Sequence, residues 1–329
     1  MRILVTGGCG FIGHHMVEHL IKNTDWEVVI IDKLTYASNG FDRLRDINCF
    51  DNKRITTFTT DFSHPITTEL QREIGPLDYI IHLGAETHVD RSIQNPEPFI
   101  INNILGTMHI LDLANRQPNL TKMIYFSTDE VFGPAPDGTL YKEWDRYNSS
   151  NPYAATKAGA EELCLAYANT YKTPVLISHS MNAFGERQDP EKFIPGTLKK
   201  VLAGEIVLIH SSPDRTKPGS RFYIHARNIA AAMLFLLDKG EVRDKYNVVG
   251  EKEINNLELA RFIADVAGKP LSYEMVDFHS SRPGHDLRYA LDGTKMYEMG
   301  WRLPVSFEDS LRKVIEWTLR NQKWLRKAE

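Results

Sequence analysis

The N-terminal thirteen residues constrain the fold more than any other part of this chain. Residues 2–6 are a short β-rich run, and they lead into a glycine-rich turn over residues 7–13. From residue 14 to residue 22 the apolar side chains recur at helical spacing. A strand, a glycine turn and a helix in this order form the local context of a dinucleotide-binding fingerprint. The sequence therefore predicts that the chain opens with a nucleotide-binding βαβ unit.

Each glycine of the turn has a distinct predicted role in binding a dinucleotide. Gly7 permits the tight turn, Gly10 lets the backbone approach a pyrophosphate, and Gly13 lets the helix pack closely on the strand. The helix N-terminus then receives the phosphate charge. The next strand, residues 27–31, ends at Asp32, 19 residues after Gly13. A carboxylate there accepts hydrogen bonds from the ribose hydroxyls and repels a 2′-phosphate, which favours NAD over NADP; the alternative is an acidic loop residue without a ligand.

The remaining pattern predicts an α/β fold. Apolar strands over residues 77–83, 122–127 and 174–178 alternate with helical segments, as in a parallel sheet with helices on both faces. We therefore predict a doubly wound parallel sheet (Rossmann) with a smaller C-terminal substrate-binding lobe. Prolines and glycines become denser after residue 185. We place the NAD-binding Rossmann domain at residues 1–185 and mainly the substrate-binding lobe at residues 186–329, with some segments returning to the Rossmann domain.

The last predicted helix has a structural pattern. Ser306 is placed to cap it, and Phe307, Leu311, Val314 and Ile315 form an apolar stripe. We expect this helix to support the lobe and to take no part in chemistry.

Composition excludes several classes of function. The net charge of −4 provides no basic field for nucleic acid. Three cysteines, Cys9, Cys49 and Cys164, are too few and too scattered for a disulfide framework or a zinc site, and we predict no bound metal. No apolar run approaches the roughly 20 residues of a membrane helix, and the opening strand is not a signal peptide. We expect a cytoplasmic protein with no nucleic acid or membrane partner.

Two short motifs carry the predicted chemistry. Tyr153 and Lys157 are four residues apart and share one face of a helix. The Lys157 ammonium there favours the charged form of the phenol and lowers its pKa, which suits a general base. Thr128 precedes the adjacent acids Asp129 and Glu130. One acid that stays protonated and one that acts as a base are what the elimination of water requires. An ordinary exposed helix and a solvated turn are the alternatives for the two motifs taken singly.

The combined motifs resemble the extended short-chain dehydrogenase/reductase family acting on nucleotide sugars, and within it most closely the dTDP-glucose 4,6-dehydratases. The likeness covers nearly the whole chain and rests on residues 6–13 (TGGCGFIG), 82–92 (HLGAETHVDRS), 127–133 (STDEVFG), 190–195 (PEKFIP) and 282–286 (RPGHD), together with Tyr153 and Lys157. The Thr-Asp-Glu triplet is the most discriminating, because the related 4-epimerases usually lack both acids.

This resemblance implies a lyase that converts a nucleoside diphosphate glucose, dTDP- or UDP-glucose, into the 4-keto-6-deoxy sugar with transient reduction of NAD. Tyr153, beside Lys157, would take the 4-hydroxyl proton while Thr128 hydrogen-bonds the same oxygen. Glu130 would remove the C5 proton, and Asp129 would protonate the departing 6-hydroxyl. The family's usual homodimer would pack the helix from residue 153 against the one near residues 102–115.

The resemblance also implies the ligand contacts. Those of the cofactor are Gly7, Gly10, Phe11, Ile12, Gly13, Asp32, Lys33, Thr35, Asp61, Phe62, Leu83, Ala85, Thr87, Asn102, Tyr153 and Lys157. Those of the substrate are Thr87, Thr128, Asn182, Glu191, Lys192, His210, Arg221 and Arg282.

Some positions depart from the family pattern. Ala183 stands where a second asparagine is usual, and His14 replaces a serine after the fingerprint. Residues 210–219 differ from the usual stretch beside the nucleobase, with His210 about where a stacking tyrosine is common. The nucleotide (dTDP, UDP, CDP or GDP) and the sugar therefore stay open. A 4-epimerase of the same family and a non-catalytic NAD-binding regulator are the alternative functions.

Overall fold

A parallel sheet forms the centre of the protein in the computed structural model, which describes residues 1–278 and 286–326. In the described chain this sheet has seven strands, in the order β10-β6-β5-β4-β1-β2-β3. Its strands are β1 (Arg2–Thr6), β2 (Glu27–Asp32), β3 (Ile55–Thr59), β4 (Tyr79–His82), β5 (Lys122–Thr128), β6 (Val175–Ser180) and β10 (Lys245–Val248). The order reverses between β1 and β4, and at such a switch point the carboxyl ends of the strands leave a crevice for a ligand.

Helices cover both faces of the sheet. They are α1 (Phe11–Asn23), α2 (Asp42–Asp46), α3 (Thr68–Ile74), α4 (Val89–Gln94), α5 (Glu97–Phe99), α6 (Gly106–Asn115), α7 (Pro152–Thr170) and α9 (Ala226–Lys239). A π-helical turn, Ile100–Leu105, joins α5 to α6. On one face Met16 of α1 and Met233 of α9 share a core with the strands, and on the other face Leu111 of α6 and Cys164 of α7 do so. Strands β1, β2 and β4 are buried on both sides, which is why they read as continuous apolar runs.

The second half of the chain builds a smaller lobe and also returns to the large sheet. The lobe has a three-stranded sheet of β7 (Asn182–Phe184), β9 (Ser220–His225) and β11 (Glu253–Asn255), and a parallel pair of β8 (Val207–Ser211) with β12 (Tyr273–Asp277). Its helices are α8 (Phe193–Ala203), α10 (Asn256–Ala267), α11 (Thr294–Glu298) and α12 (Phe307–Arg320). Between these elements, α9 packs on the large sheet and β10 pairs with β6 at its edge.

The structure confirms the predicted fold class. Each predicted strand is present, although β4 is shorter than the apolar run of residues 77–83. The last helix, α12, is capped as predicted, since the Ser306 side chain accepts a hydrogen bond from the backbone N–H of Asp309. Its apolar stripe, Phe307 with Leu311, Val314 and Ile315, is buried in the lobe's core. Among the described residues, no helix combines the length and the apolar character needed to cross a lipid bilayer.

Candidate active site

A cavity opens where β1, β2, β4 and β5 end. Every predicted cofactor residue lines it except Asp61. The Asp61 carboxylate lies outside the cavity lining, 4.0 Å from the Nζ of Lys33, which does line it. The sheet therefore brings together residues from position 7 to position 157, because all of them follow the carboxyl ends of parallel strands.

The glycine turn leaves no room for side chains. Gly7 has a φ of +69°, and a Cβ on it would lie 2.8 Å from the Cα of Gly84. A Cβ on Gly13 would lie 2.0 Å from the carbonyl oxygen of Gly7. The bare backbone before α1 therefore forms a cradle that a pyrophosphate fits, as the spacing predicts.

Asp32 ends β2 at the wall of this cavity. Its Oδ2 accepts a hydrogen bond from the backbone N–H of Cys9 at 2.9 Å, and its Oδ1 accepts one from Leu34 at 2.8 Å. These bonds fix the carboxylate beside the glycine turn, where the predicted ribose would lie. Lys33 is held in turn by its hydrogen bond to the side chain of Asn102.

Asp129 begins a short 3₁₀ helix, Asp129–Phe132, directly after β5. Its Oδ1 accepts a hydrogen bond from the Thr128 hydroxyl at 3.1 Å, whereas its Oδ2 is buried and has no hydrogen-bond partner among the described residues. Burial and then the charge of Glu130 raise the pKa of Asp129 to about 7. A buried carboxyl with one unpartnered oxygen is suited to carry a proton, and this is the property required of an acid.

Glu130 lies beside Asp129 and is held by two residues that sequence reasoning missed. Its Oε2 accepts hydrogen bonds from Asn151 Nδ2 at 3.1 Å and from the Tyr289 hydroxyl at 3.4 Å. Burial raises the pKa of Glu130, and the hydrogen bond from Asn151 opposes that rise. Asn151 also caps α7 by accepting from the backbone N–H of Ala154 at 2.9 Å. One asparagine thus connects the carboxylate to the helix that carries Tyr153.

Tyr153 and Lys157 occupy the first turns of α7, and both are buried. The Nζ of Lys157 donates to the carbonyl of Phe126 at 2.8 Å and lies 4.3 Å from the ring centroid of Tyr125. Burial lowers the pKa of Lys157 to about 8. The prediction that Lys157 lowers the pKa of Tyr153 is wrong for this structure. Burial, with the charge of Glu130, raises the pKa of that phenol, and only its hydrogen bond with Thr128 opposes the rise.

A buried polar network lies behind this pair and is centred on Glu161, one turn after Lys157 on α7. Glu161 accepts hydrogen bonds from the hydroxyls of Ser127 and Tyr147 and from His179 Nε2, the last at 3.0 Å. Lys245 of β10 completes it, with Nζ 3.7 Å from Oε2. Although burial raises the pKa of Glu161, His179 and Lys245 hold it below its ordinary value. The network ties α7 to the carboxyl ends of β5 and β6 and to the first residue of β10.

The predicted substrate residues divide into two groups. Thr87, Thr128, Asn182, Glu191 and Lys192 line the cavity. His210 and Arg221 lie outside its lining, and Arg282 falls outside the described residues.

His210 and Arg221 have definite positions in the lobe. His210 is half-buried within β8. The guanidinium of Arg221 donates to the carbonyls of Ser220 at 2.7 Å and Leu287 at 2.5 Å, and it lies 4.6 Å from the ring centroid of Tyr289. Their roles in substrate binding stay predictions.

Sequence reasoning missed further residues of the cavity. These are Ala37, Ser38, Arg43, Gly84, Glu86, Phe126, Ser127, Ser180, Met181, Ala183, Gln188 and Asp189. Several flank a predicted residue and could have been found by extending each motif. Arg43 had no such signal, because it stands on the short helix α2, which carries no recognisable motif.

Comparison with known proteins agrees with this geometry. Residues 4–314 match the model of a family described as GDP-mannose 4,6 dehydratase. The dTDP-glucose 4,6-dehydratase of Salmonella typhimurium is 36% identical, and the alignment covers 99% of this chain and 94% of that protein. The structure of DesIV, a dTDP-glucose 4,6-dehydratase from Streptomyces venezuelae solved with NAD, has a TM-score of 0.89 at 33% identity and covers 99% of this chain and 100% of that one.

An epimerase is also similar. The UDP-glucose 4-epimerase of Thermus thermophilus, solved with NAD, has a TM-score of 0.82 at 28% identity, with 96% of this chain and 98% of that chain covered. The match over most of the chain, joined to the acid pair and the glycine cradle, shows that this chain belongs to the GDP-mannose 4,6-dehydratase family.

Proposed function

We propose that this protein is a nucleotide-sugar 4,6-dehydratase, a lyase that converts a nucleoside diphosphate glucose into its 4-keto-6-deoxy product. The observation that carries the proposal is the adjacent pair of the buried Asp129 and the half-buried Glu130 at the end of β5, which line the same cavity as Tyr153. Oxidation of an alcohol requires only one base, whereas removal of water also requires an acid and a second base.

The residues that hold the cofactor are those of the glycine cradle and Asp32. NAD, when bound, would supply the acceptor for hydride from the sugar C4 and the donor of that hydride to C6. The cradle at Gly7 to Gly13 fits the diphosphate, and the Asp32 carboxylate fits the adenosine ribose. A 2′-phosphate in the same place would meet that carboxylate, so the cofactor is NAD and not NADP.

Tyr153 is the base of the oxidation step. Its phenol accepts the proton of the sugar 4-hydroxyl, and this requires the phenolate to be favoured against burial. The hydrogen bond with Thr128 opposes the effect of burial, because it lowers the pKa of the phenol. Thr128 also contacts Asp129, so the oxidation and elimination residues share one hydroxyl.

Asp129 and Glu130 perform the elimination. Once C4 is a ketone, the C5 proton is acidic, and the Glu130 carboxylate removes it. After hydride is added at C6, Glu130 returns a proton to C5. Asp129 is the proton donor to the 6-hydroxyl, which leaves as water. The mutual electrostatic effect of the two acids keeps a proton on one of them, because each charge disfavours ionisation of the other. Asn151 and Tyr289 hold Glu130 in place through their hydrogen bonds to its Oε2.

Separating the two steps tests these roles. Glu130→Gln should still oxidise C4 and accumulate NADH absorbance on addition of dTDP-glucose or UDP-glucose, with little dehydrated product. Tyr153→Phe should abolish the NADH signal as well. Glu162→Gln is a matched control, since this exposed glutamate lies on the outer side of α7, and it should behave as wild type. Turnover of Glu130→Gln at the wild-type rate would show that the base is another residue.

A nucleotide-sugar 4-epimerase is the second candidate, since the structural likeness to an epimerase is close. Epimerisation needs Tyr153 and Lys157 but not the acid pair. Mass analysis of the product separates the two functions, because dehydration removes one water and epimerisation leaves the mass unchanged. Absence of any product and of any NADH signal with a panel of nucleotide sugars would favour a non-catalytic NAD-binding regulator.

The lobe at residues 186–329 is the proposed binding region for the nucleotide sugar. Glu191 and Lys192 line the cavity on its lobe side, opposite the fingerprint. Asn182, Arg221 and Arg282 are the proposed diphosphate contacts, in keeping with the fork of donors that arginine presents to phosphate oxygens. The segment around His210, where this chain departs from the family pattern, is proposed to select the nucleobase of the substrate.

We further propose a cytoplasmic homodimer. The three cysteines are free thiols, which suits a reducing compartment. Ile100, Ile101 and Leu105 are exposed on the π-helical turn before α6. These side chains lie beside α7 and support a dimer built from both helices. Analytical ultracentrifugation should find a dimer, and Ile101→Lys with Leu105→Lys should weaken it.

A further inference from the structure

Arg43 of α2 is the largest side chain that is fully buried, with 0% of its surface exposed. Removing a guanidinium from water costs several kcal/mol unless an opposite charge compensates for it. Burial lowers the pKa of Arg43 to about 10, so it still carries its charge at neutral pH.

The protein supplies Arg43 with neutral partners. Its Nη1 donates to the carbonyl of Ala37 at 2.6 Å, and its Nε donates to the carbonyl of Arg187 at 3.1 Å. Its Nη2 is buried and has no hydrogen-bond partner in residues 1–278 and 286–326. The ring of Trp324 lies 5.8 Å from the guanidinium carbon and offers a weak cation–π contact. Across the same residues no carboxylate forms an ion pair with Arg43 within 4.0 Å, and the charges of Asp189 and Asp32 act on it without such a pair.

The position of Arg43 indicates which ligand group accepts a hydrogen bond from its Nη2. Arg43 lines the same cavity as Gly7, Gly10 and Asp32. Its two carbonyl partners belong to the segment after β2 and to the loop that follows β7, so the guanidinium lies where both segments meet the cofactor site. The formal negative charges of NAD are those of its diphosphate, and a buried guanidinium with a free N–H is a strong donor to phosphate oxygens.

We propose that Arg43 binds the diphosphate of the dinucleotide and that this anion neutralises its buried charge. The inference rests on the proposed NAD site. It adds a cationic side chain to a fingerprint that otherwise offers backbone N–H groups and a helix N-terminus. It also explains why a charge is retained in the interior without an ion-pair partner.

The experiment compares ligands that contain and lack the diphosphate. Protein stripped of cofactor is titrated with NAD and ADP-ribose by calorimetry, and with adenosine by ligand-observed NMR. Arg43→Gln retains an N–H donor but removes the charge. Arg43→Met removes both. Arg45→Met is the matched control, because Arg45 lies on the same helix with its side chain more than half exposed.

Arg43→Gln should weaken NAD and ADP-ribose by at least tenfold and leave adenosine within twofold of wild type, while Arg45→Met should leave all three within twofold. Thermal unfolding gives a second readout. Without ligand, Arg43→Gln should melt no lower than wild type, because it removes a buried charge that has no direct ion-pair partner among the described residues, and NAD should raise its melting temperature by less than it raises that of the wild type.

Several results would overturn the inference. Equal losses of adenosine and NAD would show that Arg43 only holds the two segments together. Unchanged NAD affinity in Arg43→Gln, or an unliganded variant that melts well below wild type, would also refute it. If Arg43→Met does not fold, the binding and unfolding measurements on Arg43→Gln alone test the inference. Wild-type protein that binds neither NAD nor ADP-ribose would refute the proposed function together with the inference, and this outcome is distinct from a failure of Arg43 alone.

Discussion

Replacing Asp129 by asparagine should stabilise the cofactor-free protein, and by more at alkaline than at acidic pH. The carboxyl is buried, and one of its oxygens has no hydrogen-bond partner among the described residues. Its ionised form is therefore poorly solvated and lies beside the charge of Glu130. Asparagine has nearly the same shape and does not ionise, so it avoids this penalty.

The magnitude follows from the pKa. Burial and Glu130 raise the pKa of Asp129 from 3.8 to about 7. A raised carboxyl pKa means that the folded state binds the proton more tightly than the unfolded state does. Stability therefore falls as pH rises from about 4 to about 7, and the loss is complete above that range. At about 1.4 kcal/mol per pKa unit, the pKa difference between the folded and unfolded states lowers stability by about 4 kcal/mol at pH 8.5 and by about 2 kcal/mol at pH 5.

The assay is thermal unfolding of stripped protein, followed by circular dichroism at pH 5 and at pH 8.5. The entropy of unfolding of a chain of 329 residues is about 0.7 kcal/mol/K. Asp129→Asn should therefore raise the melting temperature by about 6 °C at pH 8.5 and by about 3 °C at pH 5. The control is Asp137→Asn, at an exposed carboxylate paired with Lys217, which should shift it by about 1 °C or less.

An equal gain at both pH values would show that Asp129 does not titrate with a raised pKa. A loss of stability at pH 8.5 would show that the carboxylate makes favourable contacts. Either result would refute the reasoning that assigns the acid role to Asp129. The same substitution should abolish dehydration, because an amide does not donate a proton to the leaving hydroxyl. The stabilised variant would then show a trade-off between stability and activity.

Three further predictions follow from other parts of the site. Because Asp32 lines the ribose region, the dissociation constant of NADP should exceed that of NAD at least tenfold, about 1.4 kcal/mol; equal affinities would exclude the assigned role. Glu161→Gln should destabilise the protein by about 3–5 kcal/mol at pH 7 in urea unfolding, whereas the exposed neighbour variant Glu162→Gln should change it by about 0.5 kcal/mol or less. Since the pKa of Glu161 lies below its ordinary value of 4.5, the ionised carboxylate stabilises the protein above that pH. The difference in stability between wild type and Glu161→Gln should therefore shrink as pH falls below 4.5, and a difference that does not change with pH would contradict this. His210→Ala should change the ratio of kcat/KM for dTDP-glucose and UDP-glucose more than it changes kcat, because base stacking binds ground and transition states alike; an unchanged ratio would place the selectivity elsewhere.

Local motifs allowed much of the cavity to be predicted. The glycine turn, Asp32 and the Thr128 to Glu130 run are each contiguous with a strand, so the strand's end fixes where they point. Tyr153 and Lys157 are one helical turn apart, and the period of the helix places them on one face. Such residues need only their own element and the rule that parallel strands end at the same edge.

Residues that act across the chain were not predictable in this way. Tyr289 meets Glu130 across 159 positions, and Lys245 meets Glu161 only because β10 returns to pair with β6. Arg43 stands on the short helix α2, and its Nε donates to the carbonyl of Arg187, 144 residues away. No periodicity in a single sequence records such pairs.

The sequence by itself determined the order of strands and helices, the place of the glycine cradle and the choice of the proposed reacting groups, because these depend on short-range spacing and side-chain chemistry. Only the tertiary structure decided how those groups ionise. Tyr153 beside Lys157 suggested a lowered phenol pKa, yet both are buried and the Lys157 ammonium is directed to the carbonyl of Phe126, so desolvation and Glu130 raise that pKa instead. Proton affinity depends on the solvent and the charges that surround a group from every side, and that environment exists only after the chain has folded.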